Sequence, residues 1–373
     1  MKIGFDAKRL YNNFTGLGNH SRTTLDILTE YFPENDYVLF TPKVKNDSVV
    51  LPYLKKSHCE TFVPKGMLRG SAWRTFGMSR DAKNADIDIF HGLSNELPIG
   101  LKVPSVVTIH DVAFRTFTDM YHWHDRIIYD MKWRYACNHA DRIIAISECT
   151  KRDIMRFYGV DEEKIDVVYQ PVNPIYYEEF PTDNGDDWQW PVEENTPYIL
   201  YVGSINSRKN LLGIVKAIEL LPKHLQIPLV VIGGGKEYKR LVEKYIADHD
   251  LGDLVKFVAS VNSQKVLRKY YLNAHLFCYP SFYEGFGLPV VEALLCGCPV
   301  VTSSVSCLPE AGGPWSLKSD PKNAEDISQN IWSLLEDETL RRELGEKGRR
   351  WAMETFHPSV LSKQLMNVYE KVL

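Results

Sequence analysis

The chain has 373 residues, of which 44% are hydrophobic and 25% are charged. These proportions are ordinary for a globular protein, and at about 150 residues per domain the length favours two domains. The 44 Lys and Arg against 48 Asp and Glu give a net charge of −4, which argues against a nucleic-acid partner. Asp6 stands where a signal peptide needs an apolar run, and no apolar stretch reaches the ~18 residues of a membrane span. We therefore expect a cytoplasmic protein.

Short apolar runs alternate with amphipathic stretches along the first half of the chain. Such alternation predicts a parallel sheet covered by helices on both faces. The predicted strands are Lys2–Asp6, Tyr37–Thr41, Ile87–His91, Ser105–His110, Arg142–Ser147 and Ile165–Tyr169, and the predicted helices are Ser21–Tyr31, Asp125–His139 and Thr150–Tyr158.

The alternation stops over Pro181–Pro197, an acidic, proline-flanked segment that predicts a linker. It then restarts, which predicts a second doubly wound domain and a cleft between the two. We place the first domain at 1–180 and the second at 196–357. The strands predicted for the second are Tyr198–Val202, Leu229–Ile232, Val255–Val258, Leu276–Tyr279 and Pro299–Thr302, and the helices are Leu211–Leu221, Glu237–Asp248, Ser263–Tyr271 and Pro289–Leu295.

The segment after the strand Leu276–Tyr279 carries two carboxylates around a glycine turn. The turn, Glu284-Gly-Phe-Gly287, leads into a helix that Pro289 can open. Glycines let the backbone approach a ligand, and the N–H groups at a helix start favour a phosphate. Glu284 and Glu292 flank this turn, where carboxylates suit the hydroxyls of two sugars. The alternative is a capping turn with two surface glutamates.

A second group, Gly203-Ser-Ile-Asn-Ser-Arg208-Lys209-Asn210, follows the strand Tyr198–Val202. Two cations at the head of a helix oppose the positive end of its dipole, which is unfavourable unless an anion offsets them. This arrangement favours a diphosphate held by Arg208 and Lys209. The alternative is a solvated loop.

Weaker signals follow strands of the first half. Gly16 and Gly18 form a G-x-G pattern, interpreted as a tight turn that opens a helix and presents N–H groups to phosphate. His91 and His110 each stand at the end of a predicted strand, where a neutral imidazole can contact a sugar hydroxyl. The alternatives are an ordinary turn and two satisfied core histidines.

The segment Pro64–Arg80 is basic and aromatic and contains no acid. Such a segment can contact anionic lipid headgroups or an acidic acceptor, but a solvated loop is the favoured interpretation. Its basic and aromatic residues are Lys65, Arg69, Trp73, Arg74, Phe76 and Arg80. Elsewhere, His122-Trp-His124-Asp125 has metal-ligand residue types but is interpreted as a helix start, so we predict no metal site.

Together these motifs resemble those of the family-4 retaining glycosyltransferases, which have the GT-B fold of two Rossmann-like α/β domains facing each other across a cleft. The resemblance rests on the E-x7-E pattern of Glu284–Glu292, the R-K-N sequence that ends Gly203–Asn210, the early G-x-G and the histidine-aspartate pair after a strand. It spans nearly the whole chain, and the EGFGLP core of the first motif is its most specific part.

The resemblance implies that the N-terminal domain binds the acceptor, that the C-terminal domain binds a nucleotide-sugar donor, and that the last helix, 358–373, packs back on the N-terminal domain. It assigns Glu284 to the donor hexose, Glu292 to the ribose, and Arg208 and Lys209 to the diphosphate. His110 is implied at the sugar or the reaction centre. Further residues implied at the donor are Gly16, Gly18, Gly203, Phe286, Gly287 and Leu288.

The resemblance also implies a metal-independent hexosyltransferase of polysaccharide biosynthesis, with GDP-mannose the favoured donor and a UDP-hexose the alternative. The acceptor is expected to be a glycan or a lipid-linked saccharide, with a peripheral contact at the inner face of the membrane. One departure is Ser204, where many members carry an arginine. Two other functions remain open: a nucleotide-sugar 2-epimerase of the same architecture, and a non-catalytic sugar-nucleotide-binding protein.

Overall fold

The computed structural model describes residues 1–66, 70–179, 192–193, 195–258, 261 and 263–373. These residues form two compact units. Unit 1 is Met1–Asn173 together with Pro358–Leu373, and unit 2 is Pro174–His357. Most of the predicted linker, 181–197, lies outside the described residues.

Unit 2 begins at Pro174, a few residues before the predicted end of the first domain at residue 180. The reason is a packing contact that the sequence does not show. The ring of Tyr176 is fully buried and lies 6.0 Å from the ring of Tyr271, measured between centroids, and both rings belong to unit 2.

Unit 1 is built on a parallel sheet with the strand order β3-β2-β1-β4-β5-β6-β7 among the described residues. The strand order reverses between β1 and β4. β3 is only partly buried, so it lacks the apolar run that predicts the other strands. The bounds are β1 Lys2–Asp6, β2 Asp36–Phe40, β3 Cys59–Phe62, β4 Ile89–Gly92, β5 Ser105–Ile109, β6 Arg142–Ala145 and β7 Ile165–Val167.

Unit 2 repeats this architecture with the order β10-β9-β8-β11-β12-β13 in the part of the chain that the structure describes. Four of its strands, β8, β9, β11 and β12, are buried at every position, as expected of parallel strands covered on both faces. The bounds are β8 Ile199–Val202, β9 Leu229–Ile232, β10 Val255–Val258, β11 Leu276–Tyr279, β12 Val300–Ser303 and β13 Leu317–Ser319.

The predicted helices are present, most with ends shifted by one to three residues, and the last stretch of the chain is helical as expected. The α-helices of unit 1 are α1 Lys8–Asn12, α2 Gly16–Tyr31, α3 Gly70–Ala72, α4 Met78–Asn84, α5 Ala113–Thr116, α6 Trp123–His139, α7 Glu148–Tyr158 and α15 Pro358–Glu370. Those of unit 2 are α8 Leu211–Glu219, α9 Glu237–Asp248, α10 Gln264–Asn273, α11 Leu288–Leu295, α12 Leu308–Gly312, α13 Ala324–Glu336 and α14 Glu338–Thr355.

The last helix, α15, completes the core of unit 1. Its residues Leu365 and Met366 pack in one apolar cluster with residues of α2 and of the sheet. Tyr369 is fully buried, and its hydroxyl lies 2.7 Å from Nδ1 of His91 on β4. Unit 1 is therefore assembled from two stretches of chain that are separated by all of unit 2.

The G-x-G pattern, predicted as a tight turn that opens a helix, lies within the helix itself. Gly16 and Gly18 lie in the first turn of α2. The side-chain oxygen of Asn13 accepts hydrogen bonds from the N–H groups of Thr15 and Gly18, at 2.9 and 3.1 Å. A Cβ atom on Gly18 would collide with the main-chain oxygen of Asn13, so the glycine is explained by this close approach.

The prediction of an exposed basic-aromatic loop over Pro64–Arg80 is wrong for two of its residues. Trp73 and Arg74 are 1% and 5% exposed. The indole N–H of Trp73 donates to Asp81 at 2.7 Å, and Arg74 pairs with the buried carboxylate of Asp6 and the partly buried one of Glu96. Phe76 and Arg80 are exposed, whereas Arg69 lies outside the described residues.

Candidate active site

Two loops of unit 2 meet because the strands that precede them are neighbours. β8 pairs with β11 in parallel, so the loop after β8, 203–210, and the loop after β11, 280–287, emerge at the same edge of the sheet. The two are joined directly: the main-chain oxygen of Arg208 accepts the N–H of Phe282 at 2.8 Å and the hydroxyl of Ser281 at 3.0 Å. The two predicted motifs are thus brought together.

Asn210 fixes the first loop to the second. Its amide nitrogen donates to the carbonyl oxygens of Pro280 and Pro321, at 3.1 and 2.7 Å. Its backbone has φ 57°, a left-handed conformation that asparagine tolerates better than most residues. The R-K-N sequence therefore ends in a structural anchor that holds the two cations in place.

Gly203 begins the first loop and lies close to the loop that follows β9. Its N–H donates to the main-chain oxygen of Ile232 at 2.9 Å. Gly233, with φ 149°, lies so close that a Cβ atom there would collide with the main-chain oxygen of Gly203. This pair of glycines packs the loops after β8 and β9 against each other.

The carboxylate of Glu284 pairs with both predicted cations. Its Oε2 lies 3.0 Å from Nη1 of Arg208, and its Oε1 lies 3.3 Å from Nζ of Lys209. The three side chains are 12 to 18% exposed, so their charged groups have little contact with water. Burial raises the pKa of Glu284, but Lys209 and Arg208 lower it more, and the net pKa falls below its ordinary value.

Two hydroxyl groups that were not predicted from the sequence complete this cluster. Tyr279 donates to Oε1 of Glu284 at 2.9 Å, and the hydroxyl oxygen of Ser281 lies 3.1 Å from the same atom. The ammonium group of Lys209 donates to the hydroxyl of Tyr279 and lies 5.1 Å from the centre of its ring. Tyr279 is the last residue of a buried strand, so its residue type alone indicates only a core position.

The glycine turn is strained in the way that requires glycine. Gly287 has φ 109° and precedes α11, which begins at Leu288. A Cβ atom at Gly287 would lie 2.8 Å from Cδ2 of Leu308. Phe286 is buried, and its main-chain oxygen accepts the Sγ–H of Cys307 at 2.8 Å.

One N–H group of this turn is bonded within unit 2. That of Glu284 donates to the hydroxyl of Ser306 at 3.1 Å. The turn is therefore partly satisfied by its own unit.

Glu292 lies on α11 apart from the ion cluster. It accepts a hydrogen bond from the hydroxyl of Tyr271 at 3.0 Å. Burial raises the pKa of Glu292 to about 7, while the Tyr271 hydroxyl and Lys209 act in the opposite direction. The two glutamates of the E-x7-E motif thus have pKa values shifted in opposite directions.

His110, Gly16 and Gly18 belong to unit 1. His110 is 4% exposed; its Nδ1 accepts from the amide of Gln170 at 2.8 Å, and its Nε2 donates to the main-chain oxygen of Leu93 at 2.9 Å. His91 is likewise saturated, by Tyr369 and Thr108. Both histidines have the hydrogen-bonding pattern of satisfied core residues.

Comparison with known proteins identifies the family. The model of the family described as "Glycosyltransferase Family 4" matches residues 22–175, and that described as "Glycosyl transferases group 1" matches residues 183–351. O-antigen chain mannosyltransferase B of Escherichia coli is 30% identical over 386 aligned positions, covering 99% of this chain and 100% of the relative. The chain belongs to the family-4 glycosyltransferases. The O-antigen chain mannosyltransferase RfbU of Salmonella typhimurium is 27% identical over 61% of each chain.

Solved structures confirm the GT-B fold of this glycosyltransferase. Sucrose-phosphate synthase from Thermosynechococcus elongatus superposes with a TM-score of 0.76 at 20% identity, covering 100% of this chain and 98% of that one. HepE of Anabaena, solved with UDP and glucose, has a TM-score of 0.75 at 17% identity and 99% coverage of both chains. The predicted family, fold and enzyme class, a hexosyltransferase, are confirmed.

Among the described residues of the glycosyltransferase, no group of three or more His, Cys, Asp or Glu side chains could hold a metal ion. In the same part of the chain, every helix is too short or too polar to cross a membrane.

Proposed function

We propose that unit 2 binds a nucleoside-diphosphate hexose, with Arg208 and Lys209 on the diphosphate and Glu284 on the hexose. The observation that carries the proposal is the shared carboxylate: both cations contact Glu284, at 3.0 and 3.3 Å. Two cations face one carboxylate there, and a diphosphate supplies the negative charge that balances them. Its oxygens also suit the fork of the guanidinium group.

The same cations promote the departure of the nucleoside diphosphate. Breaking the bond to the sugar builds negative charge on the leaving phosphate, so fixed positive charges stabilise the transition state more than the ground state. One hydrogen-bonding group so placed typically lowers the free energy of the transition state by ~3–4 kcal/mol. Arg208 and Lys209 are held in position before the donor arrives by Glu284, Tyr279 and the anchor of the loop.

We propose that the reaction retains the configuration of the sugar by same-face transfer, with the donor phosphate accepting the proton of the acceptor hydroxyl. Retaining enzymes that form a covalent intermediate use a pair of close carboxylates. Here Glu284 is neutralised by two cations, and Glu292 is bonded separately to Tyr271. Neither carboxylate is an uncompensated nucleophile.

The remaining donor contacts follow from the turn and the helix after β11. Glu292 would accept hydrogen bonds from the ribose hydroxyls, and the backbone at Phe286, Gly287 and Leu288 would line the sugar and phosphate. Gly203 would allow the close approach of the diphosphate to the first loop.

We propose that unit 1 receives the acceptor and that its Gly16, Gly18 and His110 contact the donor. Gly16 is the open glycine of α2, since a Cβ atom there would meet no other atom within 4 Å. Gly18, in contrast, gives its N–H to Asn13. A contact between His110 and the sugar requires one ring nitrogen to exchange its bond to Gln170 or Leu93 for a bond to the ligand.

We propose GDP-mannose as the donor and a glycan or lipid-linked saccharide as the acceptor, because relatives of this chain are O-antigen mannosyltransferases. We also propose a peripheral contact with an anionic membrane. The exposed face of α6 supports it: Trp123, Ile127 and Met131 are spaced four residues apart and are 71%, 52% and 62% exposed. Arg126 lies beside them, and a tryptophan with basic neighbours is typical of a helix that binds a bilayer surface.

The test of the donor is the stability of the protein with GDP-mannose, UDP-glucose or ADP-glucose. We expect GDP-mannose to raise the melting temperature most, because a ligand at 100 times its Kd adds ~2.7 kcal/mol. Lys209→Ala and Arg208→Ala should each weaken binding at least tenfold, whereas the control Lys244→Ala, exposed on α9, should bind normally. Stabilisation by none of the three nucleotide sugars at millimolar concentration would refute the proposal.

A further inference from the structure

The strand order of unit 1 reverses between β1 and β4, and open α/β sheets bind ligands beyond the carboxyl ends of the strands at such a point. β1 ends at Asp6, and Lys8 and Arg9 follow at once on α1. The loop after β4 carries Ser94 and Glu96. None of these five residues belongs to the donor site described above.

Arg74 joins the two strand ends. Its Nε lies 2.5 Å from Oδ2 of Asp6, and its Nη1 lies 2.7 Å from Oε2 of Glu96. Lys132 of α6 contacts the same oxygen of Glu96 at 2.9 Å. Arg74 is in a π-helical turn, Trp73–Gly77, a form that is frequent at functional sites. The two carboxylates are therefore already neutralised by Arg74 and Lys132.

Two further cations at this edge have no carboxylate of their own. Lys8 and Arg9 form no ion pair among the described residues. Burial lowers the pKa of Lys8, and the charges of Arg74 and Arg9 lower it further, while Glu96 and Asp6 act in the opposite direction. Lys8 therefore lies close enough to Arg74 and Arg9 to be repelled by both. Asp111 follows β5, the neighbour of β4, at the same edge. Four cations thus face three carboxylates, an imbalance that an anion would offset.

Three buried hydrogen-bond donors at this edge lack acceptors. They are Nη2 of Arg74, Nε of Arg9 and the hydroxyl of Ser94, none of which has a partner among the described residues. Arg74 and Ser94 are 5% and 2% exposed. Buried polar atoms are nearly always satisfied in folded proteins, so three such donors beside an excess of positive charge indicate a ligand with oxygen acceptors.

We propose that Lys8, Arg9 and Arg74 form an oxyanion subsite at the β1–β4 edge of unit 1. The subsite takes a negatively charged group of the acceptor, a phosphate or a carboxylate, and rests on the proposed function in that unit 1 receives the acceptor. Guanidinium groups bind such oxyanions through paired N–H donors, and Lys8 adds a point charge. The subsite would thereby favour a charged acceptor over a neutral glycan.

The test uses the whole chain with GDP at saturation, so that the cations of unit 2 are occupied. Methyl phosphate and glucuronate are titrated separately, and binding is measured by calorimetry or by NMR of the arginine side chains. We expect one or both probes to bind with a millimolar Kd, and Lys8→Gln with Arg9→Gln to weaken binding at least tenfold. Lys83→Gln, which removes an exposed charge of α4 in the same unit, is the matched control.

The outcomes separate the sources of the anion. Binding of methyl phosphate alone assigns the subsite to a phosphate, and binding of glucuronate alone assigns it to an acidic sugar. Binding of neither probe, or equal binding by the double variant and the wild type, overturns the proposal. Should the double variant fold poorly, Arg9→Gln alone is expected to give a smaller loss of the same kind.

Anion binding in unit 1 and GDP binding in unit 2 are measured independently, so the two sites can be rejected separately. Failure of GDP to bind would count against the donor site only. The titrations would then be repeated with Lys209→Ala, a variant that has one cation fewer in unit 2. Conversely, GDP-mannose should bind the Lys8→Gln/Arg9→Gln variant with its ordinary affinity.

Discussion

The two glutamates of the E-x7-E motif differ in their surroundings more than their spacing suggests. Glu284 is held by Arg208 and Lys209, which lower its pKa, whereas Glu292 is buried beside Tyr271 with a pKa raised to about 7. The protonated form is therefore favoured at Glu292 relative to Glu284. A ribose that donates two hydrogen bonds would favour the ionised form of Glu292.

Glu292 should make the protein less stable as the pH rises. Its folded pKa, about 7, lies above the ordinary value of 4.5, so its stabilising effect is complete below about pH 4.5 and is lost as the pH rises to 7. The unfolding free energy of Glu292→Gln minus that of wild type should therefore increase by about 1–3 kcal/mol as the pH rises from 5 to 8. Urea unfolding at several pH values measures this difference.

Glu284→Gln serves as the contrast, because lowering of the pKa by Lys209 and Arg208 reverses the sign. Ionised Glu284 stabilises the fold above its unfolded pKa, and this is lost as the pH falls. Glu284→Gln should therefore lose more unfolding free energy relative to wild type at pH 8 than at pH 4. A pH-independent difference for Glu292→Gln would show that Glu292 is not buried as described.

The family resemblance assigns Arg208, Lys209 and Glu284 to one donor, and the structure brings them together because β8 and β11 are neighbouring strands. Tyr279 and Asn210 could not be predicted in the same way. A tyrosine at the end of an apolar run looks like core, and the two carbonyl partners of Asn210 lie 70 and 111 residues away in sequence. Contacts of that kind become visible only when the strands are paired.

At the scale of elements, apolar periodicity predicts most strands and helices, and its failures have local causes. β3 and β13 have only three or four residues and are partly exposed. The segment around Arg74 looks like a solvated loop because its acidic partners, Asp6 and Glu96, are distant in sequence. Gly16 and Gly18 look like a turn because the Asn13 side chain that satisfies the first helical turn is not part of the pattern.

α6 is the element on which membrane contact can be tested. Trp123, Ile127 and Met131 form an exposed apolar stripe on it, so replacing all three with serine removes apolar area from the surface and none from the core. We expect the triple variant to lose most of its binding to vesicles of anionic phospholipid in a flotation assay. Its melting temperature should change little.

The control replaces the exposed apolar residues Leu220 and Leu241 of unit 2 with serine, and this variant should float as the wild type does. Flotation of the α6 variant equal to wild type would reject α6 as the contact surface. Wild-type binding to neutral and anionic vesicles alike would reject the contribution of Arg126.

At the scale of the whole molecule, the chain consists of two units of similar architecture, of which only unit 2 is continuous. α15 is held in unit 1 by apolar packing and by the buried bond between Tyr369 and His91. Burial, followed by His110, lowers the pKa of His91 to about 3, so this ring is neutral and its Nδ1 needs the hydroxyl partner.

Tyr369→Phe removes that hydroxyl and leaves Nδ1 of His91 buried without a partner. We expect a loss of about 1–3 kcal/mol in the stability of unit 1. Hydrogen exchange followed by mass spectrometry should show faster exchange in α15 and β4. Tyr177→Phe, which removes a bond to the main-chain oxygen of Phe356 in unit 2, should accelerate exchange there instead. Acceleration in both units by Tyr369→Phe would contradict the assignment of α15.

The split composition of unit 1 bears on the order in which the protein is made. Domains generally fold in the order in which they leave the ribosome. Here the earlier-synthesised unit still lacks its closing helix when the later one has emerged in full, because α15 follows all of Pro174–His357 in sequence. Until α15 has been synthesised, the apolar residues of α2 and of the sheet that pack against it are left uncovered, and they offer a surface to which a chaperone can bind.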